Sequence, residues 1–243
     1  MPLVAVPEPV AFYPLNARYK AAEKENRQPK GILGDVAITN GPYNEPGGAY
    51  KFYGNVSSYI EFPNNGSLDT RFSITLMCWV QPGGQDGPLF SYGKDGGGIQ
   101  IWIERGTFKL INIRNNGQAH SIISTEALPE GVWARVAAIN DYDTGLNSLY
   151  INGHLNKSEN IGKGYEILTN GKEVRMGVRD GDGRYFKGQV TQMKVYDVAL
   201  NEAQIKQIVN QGIANIESHL LKLSFTVIQY FYSNKLREIC CRR

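Results

Sequence analysis

The stretch GVWARVAAINDYDTGLNSLYING, Gly131–Gly153, decides the fold. Val132, Ala134, Val136 and Ala138 fall on one side of an extended chain, and Trp133, Arg135, Ala137 and Ile139 on the other. A period of two with mostly apolar residues on both faces is the pattern of a strand covered on both sides. Asn140–Gly145 is rich in Asp, Asn and Gly, the chemistry of a turn. Leu146–Ile151 then runs back, and Asn152-Gly153 suits the type I′ turn of a hairpin.

The same punctuation recurs on either side. Ala11–Leu15 predicts a short strand that pairs with the closing strand near Gln189–Tyr196. Ala49–Tyr53, Ser58–Phe62, Phe72–Gln81, Leu89–Tyr92, Ile99–Glu104, Thr107–Ile113 and Ala119–Ser124 are further strands, bounded by Gly, Asn or Pro. Short strands at this spacing are the signature of an all-β sandwich. Trp79 and Trp133 are assigned to its core. Asn16–Lys30 is polar and predicts an exposed loop. Asn201–Ile213 predicts one helix, capped by Asn201, with Glu202 in its first turn and a stripe of Ile205, Ile208 and Val209.

Several segments resemble, in order, the laminin-G-like (concanavalin A-like lectin/glucanase) jelly-roll domains, which are related to the pentraxin sandwich. They are Trp133–Ala138 with Leu149–Gly153, Ser73–Val80, Pro88–Gly93, Met176-Gly177 with Tyr185–Gly188, and Val195–Asn201 with Gln204-Ile205. The resemblance spans about residues 10–213. It implies an all-β, two-sheet antiparallel jelly roll with one short C-terminal helix. The domain runs over 10–213, with an extended leader at 1–9 and a tail at 214–243 outside the pattern. It specifies the fold and not the ligand.

The 243 residues suffice for one large sandwich, and the net charge of +3 is spread along the chain rather than gathered in a stripe. Nucleic acid is therefore not an expected partner. The apolar run Leu220–Tyr232 is shorter than the roughly 20 residues of a membrane helix. No signal peptide is visible at Met1–Val6. The family usually occurs in secreted or cell-surface proteins, so the resemblance implies an extracellular domain of a larger protein. The sequons at Asn55, Asn65 and Asn156 lie in loop-like context and agree with that setting. Cys78, in an apolar strand, is expected to be a buried free thiol, and Cys240-Cys241 close the tail.

No pair of strand carboxylates offers the acid and nucleophile of a glycosidase, and His120, His154 and His219 lack a nucleophile partner. The expectation is a non-catalytic recognition or adhesion module binding a glycan or an extracellular protein. The alternatives are a true lectin with a defined sugar site, or a glycoside hydrolase of the same fold. Related jelly rolls often hold calcium, but Thr191 and Gln192 stand where the family frequently has an acid. Asp180 and Asp182 are the remaining metal candidates, two acids without the third that a calcium set needs. No cofactor is expected. Ligand contacts are sought in Tyr142, Asp180, Asp182 and Tyr185 on the loops, then in Trp102 and Arg114 on the sheet. Other aromatics near strand ends are Tyr43, Tyr92 and Tyr165.

Overall fold

The computed structural model describes residues 4–93, 96–114, 117–169 and 173–211. The tail from 212 onward, with its apolar run and Cys240-Cys241, lies outside the described residues. In chain order the strands are β1 (Ala11–Tyr13), β2 (Ile32–Leu33), β3 (Val36–Thr39), β4 (Ala49–Tyr53), β5 (Ile60–Phe62), β6 (Ile74–Gln85), β7 (Gly87–Tyr92), β8 (Gln100–Glu104), β9 (Thr107–Ile113), β10 (Ala119–Ala127), β11 (Ala134–Asn140), β12 (Leu146–Ile151), β13 (His154–Asn160), β14 (Val174–Met176) and β15 (Lys187–Tyr196). They form two antiparallel sheets. The eight-stranded sheet has the order β13-β12-β11-β6-β15-β4-β3, with β1 also pairing on β15. The seven-stranded sheet has the order β10-β9-β8-β7-β14-β5-β2.

The Gly131–Gly153 stretch supplies the middle of the larger sheet. β11 pairs with β12 on one side and with β6 on the other, Val136 opposite Ile151 and opposite Cys78. Leu76, Cys78 and Val80 of β6 and Val136 and Ala138 of β11 face inward. There they meet Phe90, Ile101, Ile103, Phe108 and Leu110 of the opposite sheet, and this alternation makes the main core. Burial pushes the Cys78 thiol up to about 12, so it stays protonated and unreactive. The expected β1–β15 pairing is present, with Ala11 opposite Val195. Two motif glycines are required by close approach. A Cβ at Gly177 would lie 2.5 Å from the Ser58 carbonyl oxygen, and one at Gly188 would lie 2.3 Å from that of Gln81. Both also sit at positive φ, 87° and 150°.

The outer face of the larger sheet is covered as well. Met77, Ala137, Ile139, Tyr150 and Tyr196 form a second apolar cluster with Leu200, Ile205, Ile208 and Val209. The last three belong to helix α1 (residues 202–211), so the predicted stripe is the buried one. Asn201 caps it reciprocally: Gln204 N donates to Asn201 Oδ1 at 3.0 Å, and Asn201 N to Gln204 Oε1 at 2.9 Å. The leader is attached to this helix. Gln207 bonds both the N–H and the carbonyl of Val4 at 2.7 Å, and Gln204 Nε2 donates to the Ala5 carbonyl at 2.9 Å.

Three expectations are corrected. Trp79 is not core: it projects from the outer face of β6, half-buried, with the Tyr43 ring edge-on at 5.7 Å and the Arg135 guanidinium 5.7 Å from its centroid. Trp133 is also only half-buried and precedes β11, because Gly131, at φ 73°, turns the chain just before it. Residues 16–30 are not simply exposed. Glu23 is 1% exposed, and its carboxylate accepts from the N–H groups of Phe12, Glu25 and Arg27. Burial opposes its ionisation, but these bonds and the Arg27 guanidinium hold its carboxyl below the ordinary range.

Candidate functional site

The turn Asn140–Gly145 joins β11 to β12 at one end of the sandwich, and other loops gather around it. Tyr142 N donates to Ser73 Oγ at 3.0 Å, and Gly164 N donates to the Tyr142 carbonyl at 2.9 Å. Ile161 N likewise donates to the Gly145 carbonyl. Segments 71–73, 141–145 and 161–168 therefore share one rim. Asp141 fixes the turn by accepting from the N–H groups of Asp143 and Thr144 and from the Thr144 hydroxyl.

On this rim two aromatic rings are exposed and Tyr142 is half-buried. Phe72 is 47% exposed and Tyr165 43%. The rings of Phe72 and Tyr142 meet edge to face at 4.8 Å. Beside them lies a groove of about 730 Å³ lined by Phe72, Ser73, Asp141, Tyr142, Thr144 and Asp197, among others. Arg114 packs beneath Tyr165. Its guanidinium lies 3.8 Å from the ring centroid, it donates to the Ile161 carbonyl, and it is 3% exposed. Arg114 thus sets the angle of the Tyr165 ring from below rather than standing on the open sheet face. Phe72 was missing from the sequence candidates because it continues the alternation of β6. The structure begins that strand at Ile74 and leaves Phe72 on the rim.

The loop at 178–186 lies elsewhere, against the outer face of the seven-stranded sheet. Trp102 projects from that face and is covered by the loop, with Arg179 and Arg184 at 5.1 and 4.7 Å from its ring. It is 1% exposed, and its indole N–H donates to Gln100 Oε1 at 2.7 Å, so it presents no surface to a ligand. Asp182 binds Arg179 at 2.5 Å and Arg184 at 2.7 Å, and Asp180 binds Arg175 at 2.6 Å. The Arg184 hydrogen bond, against the opposing effect of burial, lowers the Asp182 carboxyl to about 2. Glu104 closes the network by pairing with Arg184 at 2.7 Å and Lys109 at 2.6 Å. The carboxylates of Asp180 and Asp182 point at guanidinium groups, not at a common centre, and do not fit a calcium site. Among the described residues no group of three or more His, Cys, Asp or Glu is arranged to hold a metal. Tyr185 leaves this loop half-buried, before β15, whereas Asp197 of the Tyr142 groove follows the other end of that strand. The sequence candidates are therefore not one site.

Asn55 and Asn65 are exposed in turns. Asn156, expected in a loop, lies in β13, where its side chain accepts from Thr125 N at 2.8 Å and bridges the two sheets.

A two-sheet antiparallel sandwich of this topology is a lectin/glucanase-like architecture. The chain belongs to the concanavalin A-like lectin/glucanases superfamily, whose laminin-G model matches residues 54–206. Solved structures share the fold at low identity. The binding domain of Paraclostridial Mosquitocidal Protein 1 superposes with a TM-score of 0.69 at 17% identity, over 84% of this chain and 52% of that one. Domain 4 of AbnA, an extracellular arabinanase from Geobacillus stearothermophilus, in complex with arabinotriose, gives 0.67 at 20%, over 84% and 100%. The ligand-binding domain of botulinum neurotoxin serotype D in complex with N-acetylneuraminic acid gives 0.65 at 17%, over 84% and 51%. The chain spans about half the length of the two toxin domains. No curated protein matches it. No helix among the described residues is long and apolar enough to cross a membrane.

Proposed function

We propose that this domain is a non-catalytic carbohydrate-binding module that holds its ligand on the Phe72–Tyr142–Tyr165 rim. The observation that carries this reading is the exposure of Phe72 and Tyr165, with the half-buried Tyr142 ring against Phe72, on loops cross-linked by backbone hydrogen bonds. Flat apolar rings stack on sugar C–H faces, while the Ser73 and Thr144 hydroxyls and the Asp143 and Asp197 carboxylates beside them bond sugar hydroxyls. Binding is expected to be independent of calcium, since arginines occupy the oxygens of Asp180 and Asp182. The exposed sequons at Asn55 and Asn65 support an extracellular setting. A glycan array tests the reading. The wild-type chain retains at least one oligosaccharide, and Phe72→Ala/Tyr142→Ala, with an unchanged circular dichroism spectrum, loses it. An array on which wild type and double variant bind alike moves the ligand off this rim.

A further inference from the structure

The outer face of the larger sheet carries a second groove, of about 410 Å³, with a different chemistry. Trp133 forms one wall, and the amide side chains of Asn40, Asn44, Gln81 and Gln189 line it, with no charged residue among its lining positions. The amides are ordered head to tail. Asn40 Nδ2 donates to Asn44 Oδ1 at 2.8 Å, Gln189 Nε2 donates to Gln81 Oε1, and Gln81 Nε2 donates to the Gly131 carbonyl at 2.8 Å. An amide has two donor hydrogens and a carbonyl with two lone pairs. After these bonds the Asn40 and Gln189 carbonyls and the Asn44 amide hydrogens have no further partner among the described residues. The loop bearing Asn40 and Asn44 is itself braced, with Glu45 Oε2 accepting from Tyr43 N at 2.8 Å and the Tyr43 ring against Trp79.

We infer that this groove is a separate site for one or two units of an uncharged sugar, stacked on Trp133 and bonded by the amides. A neutral polyhydroxyl ligand both donates and accepts, which matches open carbonyls and amide hydrogens in one groove. None of the lining residues supplies a cation for an anion or a carboxylate for a cation. The volume falls within the range of small-molecule sites. Ser73, just before β6, borders the first groove and Gln81 within β6 the second, eight residues apart and so roughly 26 Å at ~3.3 Å per residue. One sugar unit therefore does not reach both. The inference shares with the proposed function the premise that the ligand is a carbohydrate.

The chain has three tryptophans, and their indole N–H signals in a ¹H–¹⁵N correlation spectrum report the site directly. The probes are neutral trisaccharides of arabinose, xylose, glucose and galactose, and N-acetylneuraminic acid. At least one neutral trisaccharide shifts the Trp133 indole and the Gln189 amide signals, and N-acetylneuraminic acid does not. Gln189→Glu, which preserves shape, weakens that binding at least tenfold, and Phe72→Ala/Tyr142→Ala leaves it intact. Shifts confined to rim residues, with the Trp133 indole fixed, overturn this site while the glycan reading stands. If no sugar moves any signal, the glycan reading falls, and this site with it.

Discussion

Trp102→Ala should be among the most damaging single substitutions in the domain, although Trp102 lies outside the main core. A tryptophan buries about 150–250 Å², and at ~25 cal/mol per Å² its removal forfeits roughly 4–6 kcal/mol. Trp102 is 1% exposed, so nearly all of that applies. The covering loop relaxes partly into the gap, which brings the expected loss to about 4 kcal/mol, inside the usual range for a buried Trp→Ala. Trp102→Phe keeps a ring between Arg179 and Arg184 but leaves Gln100 Oε1 without its donor. That change should cost about 1–2 kcal/mol. Trp133→Ala, at a half-buried position, should cost less than ~2 kcal/mol. Equilibrium urea denaturation followed by far-ultraviolet circular dichroism compares them without relying on tryptophan emission. A loss below ~1 kcal/mol for Trp102→Ala, or a larger loss for Trp133→Ala than for Trp102→Ala, would refute the assignment of these residues.

Asp182 titrates at about 2 in the folded state, below the ~3.9 of an unfolded chain. The stability it contributes is present above pH ~4 and is lost as pH falls toward 2. Thermal midpoints of wild type should therefore drop over that window more steeply than those of Asp182→Asn, and parallel curves would contradict the ion-pair account. Millimolar calcium against chelator should leave the midpoint unchanged, whereas a rise of several degrees would mean that a metal site exists. Removing residues 215–243 should leave the sandwich folded, because the described residues from Ala11 to Val195 already close a main core between the two sheets; loss of the cooperative transition would show otherwise. Removing residues 1–8 should lower the midpoint by several degrees through the lost Val4 and Ala5 bonds to α1, and an unchanged midpoint would show that the leader holds nothing.

The hairpin at Gly131–Gly153 was legible because alternation and turn chemistry agree there, and the structure ends its strands at Asn140 and Ile151. The Asn201 cap and the apolar stripe of α1 were legible because cap chemistry and helical period agree there, whereas the returning bond from Asn201 N to Gln204 was not foreseen. The tryptophans were not. When a helix covers one face of a sheet and the opposing sheet covers the other, both faces are apolar and period two does not say which side holds the main core. Trp79 and Trp133 thus looked internal, while Trp102 looked available until the arginine loop was seen to lie over it. Asp180 and Asp182 were visible as acids, but their partners include Arg175, Arg179 and Arg184, and only the fold shows that these guanidinium groups converge on them. The amides of the second groove come from positions as far apart as Asn40 and Gln189, and no local pattern joins them.

The most direct test of the central claim, that this sandwich holds glycans without cleaving them, is native affinity electrophoresis in gels cast with soluble neutral polysaccharides. The wild-type chain should be retarded by at least one polysaccharide, equally with and without chelator. It should release no reducing sugar from that polysaccharide, and Phe72→Ala/Tyr142→Ala should migrate faster than wild type in the same gel. Unretarded migration of the wild-type chain in every gel, or shortening of the polysaccharide that retards it, would contradict the account.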